Sequence, residues 1–174
     1  GVRRLCLTGG EPLLSPALPE LIRKAKSVNL AVKIDTNGTL PDRLKVILES
    51  PDLAPDMIAI DVKTSPARYG ELTTEGGAGP MMGQALLRSL EILERVRPQI
   101  RVEYRTVLVP GLVGEEELRA IASLLPLDAD WELAAFVPGN CLDATMNDRD
   151  PYGPIETARL LSVAKALRPL ARVR

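Results

Sequence analysis

An α/β fold of parallel strands, each followed by a helix, is what this sequence predicts, and three observations predict it. Five short runs rich in branched apolar residues recur at Arg3 to Thr8, Leu30 to Thr36, Met57 to Lys63, Ile100 to Val109 and Trp131 to Val137. Several are nearly continuous in apolar residues, as strands covered on both faces are. Helical periodicity fills the intervals between them, and the polar residues gather where the strands end. Strand and helix alternating five times imply βαβ units, whose crossovers are almost always right-handed. This pattern leaves both a barrel-like sheet and an open doubly wound one.

The elements follow in order. After the first strand, Leu18, Leu21, Ile22, Ala25 and Val28 recur at helical spacing behind Ser15-Pro16, a capping residue and a first-turn proline. Pro41 opens a short second helix carrying Leu44, Ile47 and Leu48. Leu86, Leu90, Leu93 and Val96 mark a third. The fourth, with Leu118, Ile121 and Leu125, starts in the acidic turn Glu115-Glu116-Glu117, which suits the positive end of the helix dipole. Pro154 opens the fifth, with Ile155, Ala158, Leu161 and Ala164. Gly76-Gly77-Ala78-Gly79-Pro80 reads as a flexible surface loop rather than a phosphate loop, because it follows no strand directly and lacks the usual lysine.

Composition narrows the function. With 174 residues and 45% apolar content, the chain is long enough for one domain, spanning 1–174, with a real core. The 22 Lys+Arg against 23 Asp+Glu, with no basic run or aromatic ladder, give no footprint for nucleic acid. No apolar run approaches a membrane span and no leader pattern is present, so a cytoplasmic protein with no membrane contact is expected. Cys6 and Cys141, far apart in the chain, read as reduced structural thiols. The absence of histidine removes Ser-His-Asp and Cys-His chemistry and most zinc sites. The sequence enters a strand almost at its first residue, which reads as a piece of a longer protein.

Chemistry is expected at the carboxyl ends of the strands, where parallel α/β folds build their sites. The strands end in Thr8-Gly9-Gly10-Glu11-Pro12, Asp35-Thr36-Asn37-Gly38, Asp61-Val62-Lys63-Thr64, Arg105 with Pro110-Gly111, and Pro138-Gly139-Asn140. Three strands each carry an opposite-charge pair two residues apart, hence on one face: Lys33 with Asp35, Asp61 with Lys63, Glu103 with Arg105. Charges facing the inside of a sheet need each other, water, or a ligand carrying both signs. For Lys33 and Glu103, early or mid-strand, a self-satisfying ion network and a ligand serve equally. Gly9 and Gly10 allow close backbone approach, and Glu11 offers a carboxylate to an ammonium group, although a tight strand-to-helix turn would use the same residues.

TGGEPLL, DTNG, IDVK and YRTVLVPG, in this order and each at a strand end, resemble the radical S-adenosylmethionine enzymes, and within them the glycyl-radical-enzyme activating proteins. The closing FVPGNCLD is most similar to the branch that activates anaerobic ribonucleoside-triphosphate reductase; the other branch considered activates pyruvate formate-lyase. The resemblance implies a partial TIM-like (β/α)6 barrel with outer helices, its N-terminal unit missing. It implies two cofactors, a [4Fe-4S] cluster and S-adenosylmethionine, whose reductive cleavage leads to hydrogen abstraction from a glycine of the partner enzyme. Flavodoxin or ferredoxin would be the electron donor. Carried over by position, Gly9, Gly10 and Glu11 would hold the methionine amino group, Lys63 would pair with the methionine carboxylate, and Arg105 would lie near the cofactor. Asp35, Thr36 and Asp61, with the backbone at Val62, would gather a monovalent cation beside that carboxylate. The family's Cys-x3-Cys-x2-Cys loop occurs nowhere in the sequence, so the cluster ligands are expected outside this chain, and the piece alone is expected to be inactive. A radical enzyme acting on another substrate, a non-catalytic S-adenosylmethionine-binding module and a phosphate-binding metabolic barrel are the competing readings.

Overall fold

The structure is a computed structural model, and it describes residues 3–73, 78–139, 141 and 143–174. Six strands form one sheet in the order β1 (Arg4–Leu7), β2 (Ala31–Thr36), β3 (Met57–Asp61), β4 (Arg101–Leu108), β5 (Asp130–Ala135) and β6 (Arg172–Val173). The helices are α1 (Leu18–Ser27), α2 (Pro41–Glu49), α3 (Ala78–Val96), α4 (Glu115–Leu124) and α5 (Pro154–Leu167). Strand order equal to chain order is that of a barrel wall; a doubly wound sheet reverses direction at a switch point. The sheet is a partial, open (β/α)6 barrel in which β1 and β6 are the terminal strands.

Two compact units divide the chain. The first comprises Gly1–Val62 and Pro66–Tyr104, the second Lys63–Ser65 and Arg105–Arg174. In the first, β1 pairs in parallel with β2, Leu5 opposite Val32 and Cys6 opposite Lys33, and β2 pairs with β3, Ile34 opposite Ile58 and Asp35 opposite Ala59. Side-chain alternation therefore sends Val32, Ile34, Ile58 and Ile60 to one face and Lys33, Asp35, Ala59 and Asp61 to the other. The apolar face is core: Val32, Ile34, Ile58 and Ile60 are fully buried, with Ile22, Leu44, Leu86 and Leu93 from the helices. In the second unit Trp131, Leu118, Ile121, Leu133 and Leu160 are equally buried, and Trp131 Nε1 donates to Thr106 Oγ1 at 3.1 Å.

Local chemistry explains the element ends. Proline stands in the first turn of α1, α2 and α5, where its missing N–H costs nothing. Gly114 N donates to the Glu117 carboxylate at 2.8 Å, closing the start of α4. At the far end of α4, the Arg168 guanidinium donates to the Leu125 carbonyl and to the Ala122 carbonyl, which also accepts from the Leu125 amide.

The structure departs from the sequence expectations in three places. A short 3-10 turn at Pro12–Leu14 separates β1 from α1, so α1 starts at Leu18 rather than at Ser15-Pro16. Cys6 is exposed on β1 instead of packed as a structural thiol, and Cys141 is half-buried. Ala78, Gly79 and Pro80 are not loop: they form the first turn of α3, while Gly76 and Gly77 lie outside the described residues. The reason is packing against the 3-10 segment Pro66–Leu72. A Cβ on Gly79 would sit 2.1 Å from Gly70 Cα, and one on Gly83 would sit 2.5 Å from the Pro66 carbonyl oxygen. Alanine ordinarily favours a helix over glycine by about 1 kcal/mol. Here Gly79→Ala and Gly83→Ala are expected to destabilise instead, by about 1–3 kcal/mol each from overpacking, read as a lower urea midpoint at unchanged slope.

Candidate functional site

The carboxyl ends of β1 and β2 are organised by one side chain. Gly9 and Gly10 both adopt positive φ, +91° and +54°, and turn the chain from β1 into Glu11. A Cβ at either glycine would meet nothing within 4 Å, so their need for glycine is conformational and their backbone borders open space. Glu11 then accepts three hydrogen bonds. Its Oε1 takes the Leu13 amide at 3.1 Å and the Thr36 hydroxyl at 2.9 Å, and its Oε2 takes the Asn37 amide at 2.7 Å. The carboxylate therefore straps the TGGEP turn to the DTNG turn, and of the roughly four acceptor positions on a carboxylate about one remains.

The DTNG turn is rigid for its own reasons. Thr36, buried, accepts from Gly38 N at 3.2 Å while it donates to Glu11. Asn37 Oδ1 accepts from the Thr39 amide and hydroxyl at 2.9 and 2.7 Å, an Asx turn. Gly38 has φ +73°, its carbonyl accepts from Ser89 Oγ at 2.7 Å, and it lies against Ile60 and Leu86.

One residue back, Asp35 points to the inner face. Lys33 Nζ is 3.3 Å from Asp35 Oδ1 and 3.4 Å from Glu103 Oε1, and the three side chains are 16%, 14% and 8% exposed. Of the remaining expected residues in this unit, Asp61 is half-buried at the end of β3 and Val62 is fully buried. Lys63 and Arg105 belong to the second unit, Lys63 exposed and Arg105 half-buried. The structure thus brings Glu11 together with Thr36, and Asp35 together with Lys33 and Glu103. Among the described residues no group of three or more His, Cys, Asp or Glu side chains is arranged to hold a metal ion.

The late loop is built within the second unit. Asn147 Oδ1 accepts from the Gly139 and Cys141 amides at 3.1 and 3.0 Å, and the Arg149 guanidinium donates to the Pro110 carbonyl. The Thr145 hydroxyl and amide hold the Asp143 carboxyl below the usual carboxylate range. A depression of about 650 Å³ on the first unit, lined by Thr39, Arg43, Gln84 and Arg88, lies between α2 and α3 and borders the DTNG turn at Thr39.

Sequence reasoning named Glu11 and Thr36 but not the contact between them, and it missed the Asn37 amide and Ser89. Asn37 was within reach, because it sits inside the DTNG motif; Ser89, on α3, carries no signal of its own.

Residues 1–125 match the Radical SAM superfamily, and the chain belongs to it. It is 31% identical over 141 residues to "Putative glycyl-radical enzyme activating enzyme MJ1227" of Methanocaldococcus jannaschii, covering 80% of this chain and 57% of that protein. It is 33% identical over 118 residues to the GTP 3',8-cyclase of Chlorobaculum tepidum, covering 67% of this chain and 34% of that protein. The crystal structure of archaeal TYW1 superimposes with a TM-score of 0.67 at 20% identity, over 94% of this chain and 50% of that one, a likeness of fold. The chain spans 57% or less of the length of these relatives.

Proposed function

We propose that this chain supplies the S-adenosylmethionine pocket of an enzyme that generates a glycyl radical on a partner enzyme. The observation that carries the reading is the strap from Glu11 to Thr36 and Asn37, which makes two cofactor motifs of the superfamily one rigid unit at adjacent strand ends. The residues present suit a methionine zwitterion: open backbone at Gly9 and Gly10, and both signs of charge on the inner face at Lys33, Asp35 and Glu103. S-adenosylmethionine, cleaved with one electron from a [4Fe-4S] cluster, supplies the hydrogen-abstracting chemistry. The cluster does not fit this chain's own thiols, since Cys6 and Cys141 are two and lie in different units, so its cysteines belong elsewhere.

Within this reading the Gly9 and Gly10 backbone and the remaining acceptor position of Glu11 bind the methionine amino group, and Asp35 and Asp61 with Thr36 and Val62 hold a monovalent cation. Lys63 and Arg105 are assigned to the cofactor by resemblance. The partner is a glycyl radical enzyme of the anaerobic ribonucleotide reductase or pyruvate formate-lyase type, and a flavodoxin or ferredoxin delivers the electron. The cyclase relative favours a second reading, a nucleotide substrate in place of a protein glycine.

The two readings separate in one experiment on the full-length polypeptide, reconstituted anaerobically with iron and sulfide and given reductant and S-adenosylmethionine. A glycyl doublet in the electron paramagnetic resonance spectrum of an added glycyl radical enzyme, with 5'-deoxyadenosine formed, is the expected result. 5'-Deoxyadenosine that forms only when GTP is added, with no doublet, would transfer the proposal to the nucleotide reading.

A further inference from the structure

The half-buried Lys33 is not explained by the motifs, and its surroundings assign it a task. It lies on β2 two residues before Asp35, so both side chains leave the same face. Its ammonium meets Asp35 Oδ1 at 3.3 Å and, on the other side of β3, Glu103 Oε1 of β4 at 3.4 Å. The β2–β3 register sets Met57 opposite Lys33 and Ala59 opposite Asp35, both on that same face and both buried. The ammonium therefore leans from the level of Met57 toward that of Asp35, where β3 carries only the small side chain of Ala59.

The geometry points to Lys33 as a positioning residue for Asp35, with Glu103 as the anchor that fixes the lysine. This rests on the cofactor pocket proposed above, in which Asp35 is a ligand-holding carboxylate. A lysine tethered only to a neighbouring carboxylate keeps the freedom of a long flexible stem. A second carboxylate across the strand removes that freedom, so the Asp35 carboxylate is held in one orientation. With two acids around one base, the cluster also leaves a net negative charge on that face of the sheet for a cationic group.

Three variants of the full-length protein test this: Lys33→Met, Lys33→Arg and Glu103→Gln. Two readouts are needed, the crystal structure of each variant for the Asp35 rotamer, and S-adenosylmethionine affinity by equilibrium dialysis. In Lys33→Met the Asp35 carboxylate is expected to leave its present orientation and affinity to fall about tenfold, the change that corresponds to losing one charge-assisted contact. Lys33→Arg should restore most of the affinity, and Glu103→Gln should lie between. A lysine that merely stabilises the barrel would lower the melting temperature and leave the Asp35 rotamer and the affinity where they were, which overturns the assignment. If the unaltered protein binds no S-adenosylmethionine, the proposed function fails, and the Asp35 rotamer in Lys33→Met still decides the positioning role.

Discussion

Alanine at Gly38 is expected to destabilise the protein by about 2–6 kcal/mol, from two costs that add. The first is backbone conformation: a non-glycine residue held at φ +73° costs on the order of 1–3 kcal/mol. The second is space. A Cβ there would lie 2.7 Å from Ile60 Cδ1 and 3.0 Å from Leu86 Cδ1. Both neighbours are fully buried, so neither can swing into solvent, and overpacking of this kind costs about 1–3 kcal/mol. Gly10→Ala is the internal control. It shares the positive φ but meets nothing within 4 Å, so only the conformational cost of about 1–2 kcal/mol applies. Urea denaturation of the two variants should place Gly38→Ala clearly below Gly10→Ala. Equal midpoints would show that the DTNG turn is not packed against Ile60 and Leu86 as described.

Glu11→Ala is expected to cost about 2–4 kcal/mol, because it removes the acceptor of three donors, one of them buried. The Asn37 and Leu13 amides and the Thr36 hydroxyl all point at this one carboxylate. Thr36 is buried, and the two amides are partly so. The loss should be local before it is global. Hydrogen exchange at Asn37 and Leu13 should accelerate strongly in Glu11→Ala, even without any cofactor, while amides at the middle of β3 stay protected. Glu11→Gln should fall between, since an amide keeps one acceptor oxygen and sets an N–H₂ against a donor. A carboxylate whose whole purpose was to await a ligand would leave both exchange rates unchanged when removed.

The sequence revealed the strands and the register of chemistry better than it revealed the contacts. Branched apolar runs located β1 to β5, because burial on both faces leaves no other composition possible for a strand such as Met57–Asp61. The same logic had no purchase on β6: Arg172–Val173 is too short for any periodicity and exists because it pairs with Glu132 and Leu133. The start of α3 was misread because glycine and proline are poor helix residues in isolation, whereas Gly79 is demanded by the backbone of Gly70.

In the site, the order of the motifs and the strand ends were legible. The strap was not, since it depends on the turn that Gly9 and Gly10 create and on the β1–β2 register. The charge pairs two residues apart were also legible. That Lys33 would reach beyond Asp35 to Glu103 was not, because it depends on a contact across the strand that lies between β2 and β4.

In the proposed function, the strapped TGGEP and DTNG turns form one face of an S-adenosylmethionine pocket. Equilibrium binding of S-adenosylmethionine to the full-length protein, compared among wild type, Asp35→Asn and Glu11→Gln, tests it most directly. Saturable binding in the wild type that weakens at least about tenfold in both variants is expected. Binding of equal strength in all three would contradict it, and would move the pocket away from the two turns that Glu11 holds together.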